Sequence, residues 1–402
     1  MACDGERMLG GLLRVNHLSA MEEVPGLVAE HARRVGFSHT MVFVADLQQQ
    51  YLVPLPGQRD ASGESLEPIR IDATVAGRAF RDVEIVPARH ESEEGPHRLW
   101  VPLLDGTERV GVLAVSVPPD APAAELLAGQ LASLVALLVI SKRGHSDSYA
   151  RLVRAQPMTL SAEVLWNLLP PGTFANDQVV VSTALEPAYE VGGDAYDFAI
   201  DGDTLHVSIF DAMGHDTSAG LTATIAMGAC RNNRRHGKDL SATTEAIDAA
   251  IAEQFTGRFA TGILADLNLR TGWLSWVNRG HHPPLVLRDG RLVASLDSAP
   301  DPPMGFRMGV STGQLRYQLQ PGDRLLFYTD GVIEAQSPEG ELFGLERFID
   351  FIVRREADGM SAPETLRRLI QTILEHQRGR LQDDATVVTV EWHSRRHQQL
   401  VL

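Results

Sequence analysis

Apolar residues recur along this chain with two different periods, and the alternation between them predicts its elements. Between residues 8 and 34 they fall at helical spacing, with Leu12, Leu13, Val15 and Leu18 followed by Val24, Leu27 and Val28, a pattern that gathers them on one helix face. Short apolar runs follow at 40–44, 84–86, 99–104 and 110–117 and predict strands. Asp105-Gly106 between the last two predicts a hairpin, because Asp-Gly suits the positive φ angles of a tight turn. Pro118-Pro119-Asp120-Ala121-Pro122 then breaks the pattern and marks a boundary, with Asp120 placed to cap a helix. Residues 123–141 read as a strongly apolar helix, and 146–169 as a second one closed by Pro170-Pro171-Gly172. From 179 onward strands predominate, at 179–183, 198–200, 205–210, 261–268, 272–278, 284–287, 314–319, 323–328 and 386–392. Helical patterns interrupt them at 217–235, 243–255, 345–355 and 362–378.

A strand-rich stretch with two pairs of helices predicts an α+β fold, with two packed antiparallel sheets and helices outside them, an α/β/β/α sandwich. A length of 402 residues exceeds one ordinary core. The division that follows is a mixed α/β unit over 1–120, a helical connector over 121–168, the sandwich over 169–393 and a tail over 394–402. The first unit resembles a GAF domain, a small sensor fold with a central antiparallel sheet. The stretch that carries this is Leu99-Trp100-Val101-Pro102-Leu103-Leu104-Asp105-Gly106 with Val110-Gly111-Val112-Leu113-Ala114-Val115. That resemblance implies a small-molecule ligand, which no residue set identifies. The connector has two readings. Leu131, Val135 and Leu138 stand at near-heptad spacing, which suits a dimerising helix, and they equally suit a helix packed on its own sensor domain.

Composition narrows the function classes. Hydrophobic residues are 44% and charged residues 22%, ordinary for a globular protein. A formal net charge of −16 argues against sequence-independent nucleic-acid binding, which needs a basic surface. The two cysteines, Cys3 and Cys230, suggest neither a disulfide framework nor a zinc knuckle. The N-terminus lacks the layout of a signal peptide. The strongest apolar run, 131–140, is shorter than the roughly 20 residues a bilayer requires. A cytoplasmic protein with no membrane and no nucleic-acid partner is the expectation.

The chemistry lies in four acidic clusters, each beside a predicted buried strand: Gly192-Gly193-Asp194-Ala195-Tyr196-Asp197, Asp211-Ala212-Met213-Gly214-His215, Thr329-Asp330-Gly331 and Asp383-Asp384-Ala385-Thr386. Singly, each has an ordinary reading. Asp-Gly is a common turn dipeptide, Asp211 suits a helix cap, and Asp383-Asp384 suits a solvated loop. Together, carboxylates converging on one rim of a sheet repel one another unless a cation sits among them. Oxygen ligands select hard ions such as Mg²⁺ or Mn²⁺. Two such ions about 4 Å apart can orient a water for in-line attack on phosphorus.

At this point the residues carry a resemblance. The chain from about 169 to 392 resembles the SpoIIE-type branch of the PPM metal-dependent serine/threonine protein phosphatases. The matching pieces are Glu190 to Asp197, Asp211 to His215, Asn278-Arg279-Gly280-His281-His282-Pro283-Pro284, Tyr328 to Ala335, Gly340 to Arg347 and Asp383 to Thr386, led in by Leu165-Trp166-Asn167-Leu168-Leu169-Pro170-Pro171. The resemblance implies that Asp194 and Asp211 bridge or flank two Mn²⁺ or Mg²⁺ ions, with the backbone carbonyl of Ala212 as a further ligand. Asp330 and Asp383 would complete the set. Many relatives carry Gly where Ala212 stands, a change that a main-chain ligand survives. Asp197 and Asp384 are open to holding metal-bound waters or to being solvated. His215 and His281 suit loop shaping better than proton donation, and Glu334 suits support of the loop after Asp330. Arg231, Arg234 and Arg235 are open to contacting phosphate or to complementing a helix end.

The implied function is hydrolysis of phosphoserine or phosphothreonine on a signalling protein, by family analogy a STAS-type anti-anti-sigma factor, under control of the GAF-like unit. A homodimer through the connector is compatible with it. Three alternatives share some features. A pseudophosphatase would bind a partner without catalysis. A hydrolase of small phosphoesters would use the same site. A GGDEF-like nucleotide cyclase would explain Gly192-Gly193-Asp194 but has Ala195-Tyr196 in place of Glu-Phe and leaves the later clusters without a role.

Overall fold

In the computed structural model, residues 2–60, 63–88, 97–118, 123–187, 189–190, 192–299, 301–308, 313–379 and 381–393 are described. Asp120, read as a helix cap, and the tail over 394–402 lie outside them. The chain forms two compact units, Met1–Pro157 and Met158–Leu402. This corrects the connector of 121–168, whose first part belongs to the first unit and whose last eleven positions belong to the second. Pro157 explains the break, because proline restricts the residue before it to extended conformations.

The first unit opens with α1 (Ala2–Val15) and α2 (Val24–Ala32). Strands β1 (Ser38–Ala45), β2 (Tyr51–Pro54) and β3 (Ile69–Arg70) follow, then α3 (Val75–Asp82), β4 (Val86–Ala88), β5 (His97–Asp105) and β6 (Glu108–Val117). Helices α4 (Ala124–Arg143) and α5 (Asp147–Leu152) end the unit. The six strands form one antiparallel sheet in the order β3-β2-β1-β6-β5-β4. Its two faces follow the period-2 alternation of strand side chains. Val42, Val44, Leu113 and Val115 pack with α1, α2 and α4, whereas Phe43, Trp100, Val112 and Ala114 pack with Ala76, Ala79 and Phe80 of α3. The hairpin at Asp105-Gly106 is present, with Gly106 at φ +57°. Leu131, Val135 and Leu138 of α4 are buried against this sheet, so the heptad-like positions are occupied within the unit. The helix is 20 residues long and, by length and composition alone, apolar enough to cross a membrane. Its buried stripe against β5 and β6 accounts for that apolarity as core.

The second unit begins with α6 (Leu160–Leu168), whose Ala162 and Leu165 are fully buried in its core. Strands β7 (Thr173–Ala175), β8 (Val179–Glu186), β9 (Asp194–Asp201) and β10 (Thr204–Ala212) lead to α7 (Thr217–Arg235) and α8 (Leu240–Gln254). Next come β11 (Ala260–Asn268), β12 (Trp273–Arg279), β13 (Leu285–Arg288), β14 (Arg291–Ser295), β15 (Leu315–Gln318) and β16 (Arg324–Tyr328). The one-turn helix α9 (Asp330–Ile333), α10 (Leu345–Ala357), α11 (Ala362–His376) and β17 (Ala385–Trp392) complete it. Side-chain carboxylates and hydroxyls start the helices where the sequence offers them. Thr159, Asp216 and Asp239 accept the backbone N–H of Ala162, Ala219 and Ala242, supplying partners that the first helical turn lacks.

Two antiparallel sheets result, β15-β12-β11-β10-β9 and β14-β13-β16-β17-β8-β7. Alternation in β16 and β17 defines the layers. Leu325, Phe327, Val388 and Val390 enter the core shared with the other sheet. Leu326, Tyr328 and Val387 face Phe348, Ile352, Leu369 and Ile373 of α10 and α11. On the other side, α7 and α8 contribute Ala223, Ala226, Met227, Ile247 and Ile251. The fold is a mixed α/β one built on antiparallel sheets, and its second unit has the expected sandwich layering.

Candidate metal centre

Antiparallel pairing sets the site. Asp194 opens β9 and Asp211 nearly closes β10, and the two stand directly opposite in register. In the other sheet β16 ends at Tyr328 and β17 begins at Ala385, with Tyr328 opposite Val387. Asp330 and Asp383-Asp384 therefore emerge at one edge of that pair. Two hydroxyls join the sheets there. Thr329 Oγ1 donates to Asp194 Oδ2 at 2.7 Å, and Thr386 Oγ1 donates to the same oxygen at 2.6 Å. Thr329 Oγ1 in turn accepts the Thr386 N–H at 3.0 Å.

Asp384 has a role the sequence left open. Its Oδ2 accepts the backbone N–H groups of Gly192 and Gly193 at 2.7 Å and of Asp194 at 3.1 Å. It anchors the loop that delivers Asp194, in place of lying solvated. Close approach explains the glycines around it. A Cβ on Gly193 would fall 2.1 Å from the Ala212 carbonyl oxygen, and one on Gly331 would fall 1.9 Å from the Asp384 carbonyl oxygen. Contacts that short have no room for a side chain.

Electrostatics confirms that these carboxylates feel one another. Burial pushes Asp211 up to about 7, aided by the charges of Asp330, Asp383 and Asp384. Asp194 is raised well above the ordinary carboxylate range by burial, then by Asp384 and Asp211. Burial takes Asp384 to about 6 against the pull of its three N–H donors. Asp383, though partly solvated at the rim, is raised by burial and by Asp330. Excess negative charge in a half-buried rim, offered by oxygen atoms only, fits a hard divalent cation. Among the described residues no group of three or more His, Cys, Asp and Glu side chains already stands in an arrangement that holds an ion. The fit therefore rests on donor chemistry and mutual repulsion.

The other flagged residues sort by contact. Asp197 is buried and accepts from Arg231 at 2.6 Å and Arg234 at 2.9 Å. Three positions from Asp194 on a strand, it points to the opposite face, toward α7. This corrects its reading as a solvated or water-holding group, and corrects the phosphate reading of the two arginines, whose guanidinium groups are engaged there. Arg235 is exposed at the helix end. His215 is exposed beside Asp383. Glu334 is exposed, and its backbone N–H bonds the Asp330 carbonyl at 2.7 Å. His281 is buried, with Nε2 3.1 Å from the Tyr328 carbonyl and Nδ1 2.9 Å from Thr261 Oγ1. Sequence reasoning missed Thr329 and Thr386. Both stand inside the quoted motifs, and only pairing across the sheets shows what their hydroxyls bond.

A carboxylate rim at one end of two stacked antiparallel sheets defines a hard-metal type of centre, and comparison with known proteins gives it a family. Residues 201–393, most of the second unit, match the family described as Stage II sporulation protein E (SpoIIE). Asp194 precedes the matched stretch. The chain is 27% identical over 262 residues to Protein IcfG of Synechocystis sp., covering 57% of this chain and 40% of that protein. It is 25% identical over 167 residues to Phosphoserine phosphatase RsbP of Bacillus subtilis, covering 40% and 41%. With Phosphoserine phosphatase RsbU of the same organism it shares 21% over 234 residues, covering 58% and 68%. The chain thus spans about two fifths of the length of the first two relatives.

Proposed function

We propose that this chain is a metal-dependent phosphatase that removes phosphate from serine or threonine of a signalling protein. The observation that carries this is the convergence of Asp194 and Asp211 from one sheet with Asp330, Asp383 and Asp384 from the other, where burial and neighbouring charge raise the pKa values of Asp194, Asp211, Asp383 and Asp384. Asp194, Asp211, Asp330, Asp383 and the Ala212 carbonyl would hold two Mn²⁺ or Mg²⁺ ions. Such ions supply a water acidic enough to attack phosphorus at neutral pH. The chain's own contribution is placement. Thr329 and Thr386 fix Asp194, Asp384 fixes its loop, and burial removes competing solvent. RsbP and RsbU bear the name phosphoserine phosphatase, which supports a phosphoprotein substrate. A STAS-type anti-anti-sigma factor is the partner we favour, in the cytoplasm.

The first unit is proposed as a GAF-like sensor that regulates this site. A path for regulation exists inside the second unit. The Thr159 N–H bonds the Tyr189 carbonyl at 2.9 Å. A Cβ on Gly220 of α7 would fall 2.3 Å from Ser161 Cβ and 3.2 Å from the Gly192 carbonyl. The start of α6 therefore presses on the loop that delivers Asp194, and a shift of α6 moves that carboxylate.

The test is hydrolysis of p-nitrophenyl phosphate and of a phosphoserine protein by the full chain with Mn²⁺. Asp211→Ala and Asp330→Ala are each expected to lose roughly 100-fold or more, about 2.7 kcal/mol in barrier, and chelation to abolish turnover. Mn²⁺ binding without turnover on either substrate would instead favour the pseudophosphatase reading.

A further inference from the structure

We propose that His281 is a positioning residue for the metal rim, holding the strand of Asp211 and the strand end of Asp330 at a fixed separation through its two ring nitrogens. The inference rests on the phosphatase reading of the rim. Nε2 lies 3.1 Å from the carbonyl oxygen of Tyr328, two residues before Asp330. A carbonyl can only accept, so Nε2 carries the proton and Nδ1 is the acceptor. The Thr261 hydroxyl, 2.9 Å away, then donates to Nδ1. Thr261 is the directly opposed cross-strand neighbour of Asp211, so its side chain stands on the same face as that carboxylate. One imidazole thus spans from the five-stranded sheet to the six-stranded one, one end on the cross-strand neighbour of Asp211 and the other on the strand end that leads to Asp330.

The ring is itself held. Asn278 Oδ1 accepts the His281 N–H at 2.8 Å, and Asn278 Nδ2 donates to the His281 carbonyl at 2.9 Å. Gly280 between them has φ +73°, a value that glycine adopts without strain. His282 stacks on the Tyr328 ring, with centroids 5.6 Å apart and planes at 17°, packing the same strand end. Burial, with His282 adding to it, lowers the His281 pKa to about 3. The neutral tautomer that bridges the sheets is therefore kept across the whole physiological range. A histidine serving only as core filling needs one partner or none. This one has both nitrogens and both backbone groups engaged, and its ring reaches the cross-strand partner of Asp211 on one side and the position two before Asp330 on the other. Groups that orient metal ligands from behind change metal affinity by roughly 10–100-fold when removed.

The experiment is calorimetric titration of Mn²⁺ into the metal-free full chain, with thermal melting of each metal-free variant. Thr261→Val removes the hydroxyl and keeps the shape, Thr261→Ser keeps the hydroxyl, and His281→Leu removes both ring bonds. The expected result is Mn²⁺ affinity weaker by roughly tenfold or more in Thr261→Val and His281→Leu, affinity near wild type in Thr261→Ser, and a Thr261→Val/His281→Leu double variant weaker by less than the two single losses combined. Wild-type affinity in Thr261→Val, or equal weakening in Thr261→Ser and Thr261→Val, overturns the proposal, the second by assigning the effect to packing. If His281→Leu fails to fold because the Tyr328 carbonyl is left buried and unpaired, the two Thr261 variants decide alone. A wild-type chain that binds no Mn²⁺ overturns the metal reading of the rim and the proposal with it, an outcome distinct from a selective failure of the variants.

Discussion

Asp211 shows how a single carboxylate links the metal rim to stability. Its folded pKa of about 7 stands above the ordinary 3.8, so the native state keeps a proton that the unfolded chain gives up. Its contribution to stability is fully present below pH 4 and is lost as pH rises through 7. His281, lowered to about 3, acts with the opposite sign below pH 6.5, so the informative quantity is a difference between variants. Metal-free Asp211→Asn is expected to gain about 1–2 kcal/mol over wild type at pH 8 and nothing at pH 4, a rise in Tm of roughly 3–8 °C at pH 8. Saturating Mn²⁺ should reverse the order at pH 8, because only wild type keeps the ligand. Melting curves at the two pH values, with and without Mn²⁺, check both parts. Asp197 gives the contrasting case. Asp197→Asn leaves Arg231 and Arg234 without their shared carboxylate and should cost about 2–3 kcal/mol, yet leave Mn²⁺ affinity unchanged, since the side chain faces α7. A loss of Mn²⁺ binding in folded Asp197→Asn would restore its reading as a water-holding group.

Elements decide how much of this was legible beforehand. Helix α7 has the bounds its periodicity predicts, because Asp216 caps one end and the apolar stripe from Ala219 to Cys230 runs unbroken. The buried strands β10, β11 and β16 were equally plain as apolar runs. The outermost strands β3 and β14, and β2 beside β3, are only two to five residues long, too brief for their pattern to stand out. β14 is largely exposed along its length, so nothing in its pattern separates it from a loop. Asp330 opens a helical turn, where Asp-Gly had equally suited a hairpin, and Gly331 explains why. The turn passes so close to the Asp384 carbonyl that only hydrogen fits. The acidic clusters were visible as composition at strand ends, but the division of labour between Asp383 and Asp384 depends on which one meets three N–H groups 190 to 192 positions away in sequence. Gly331→Ala is expected to destabilise the domain by about 3 kcal/mol or more and to abolish Mn²⁺ binding in whatever fraction folds. Gly340→Ala, at a positive φ with open space around it, should cost only about 1 kcal/mol. Chemical denaturation of the pair separates close approach from backbone strain.

At the scale of the molecule, the boundary between the units sets what can be cut apart. Periodicity alone ran 146–169 as one helix and placed the start of the phosphatase domain at 169. Folding instead divides that stretch, because α6 sends Ala162 and Leu165 into the sandwich core and the Thr159 N–H to Tyr189. A fragment beginning at 169 leaves the groove that α6 fills on α7 open to water. Losing a fully buried leucine with its cavity costs about 2–5 kcal/mol, a large share of a typical domain's stability. The 158–402 fragment should therefore melt as a cooperative unit, and the 169–402 fragment should melt several degrees lower or fail to fold. The same cut tests regulation. With α6 retained and the first unit removed, the loop of Asp194 keeps its support, so 158–402 should bind Mn²⁺ with the affinity of the full chain. Its turnover should no longer respond to whatever acts on residues 1–157. Equal melting of the two fragments would show that α6 is dispensable to the core, and would remove the route by which it presses on Gly192.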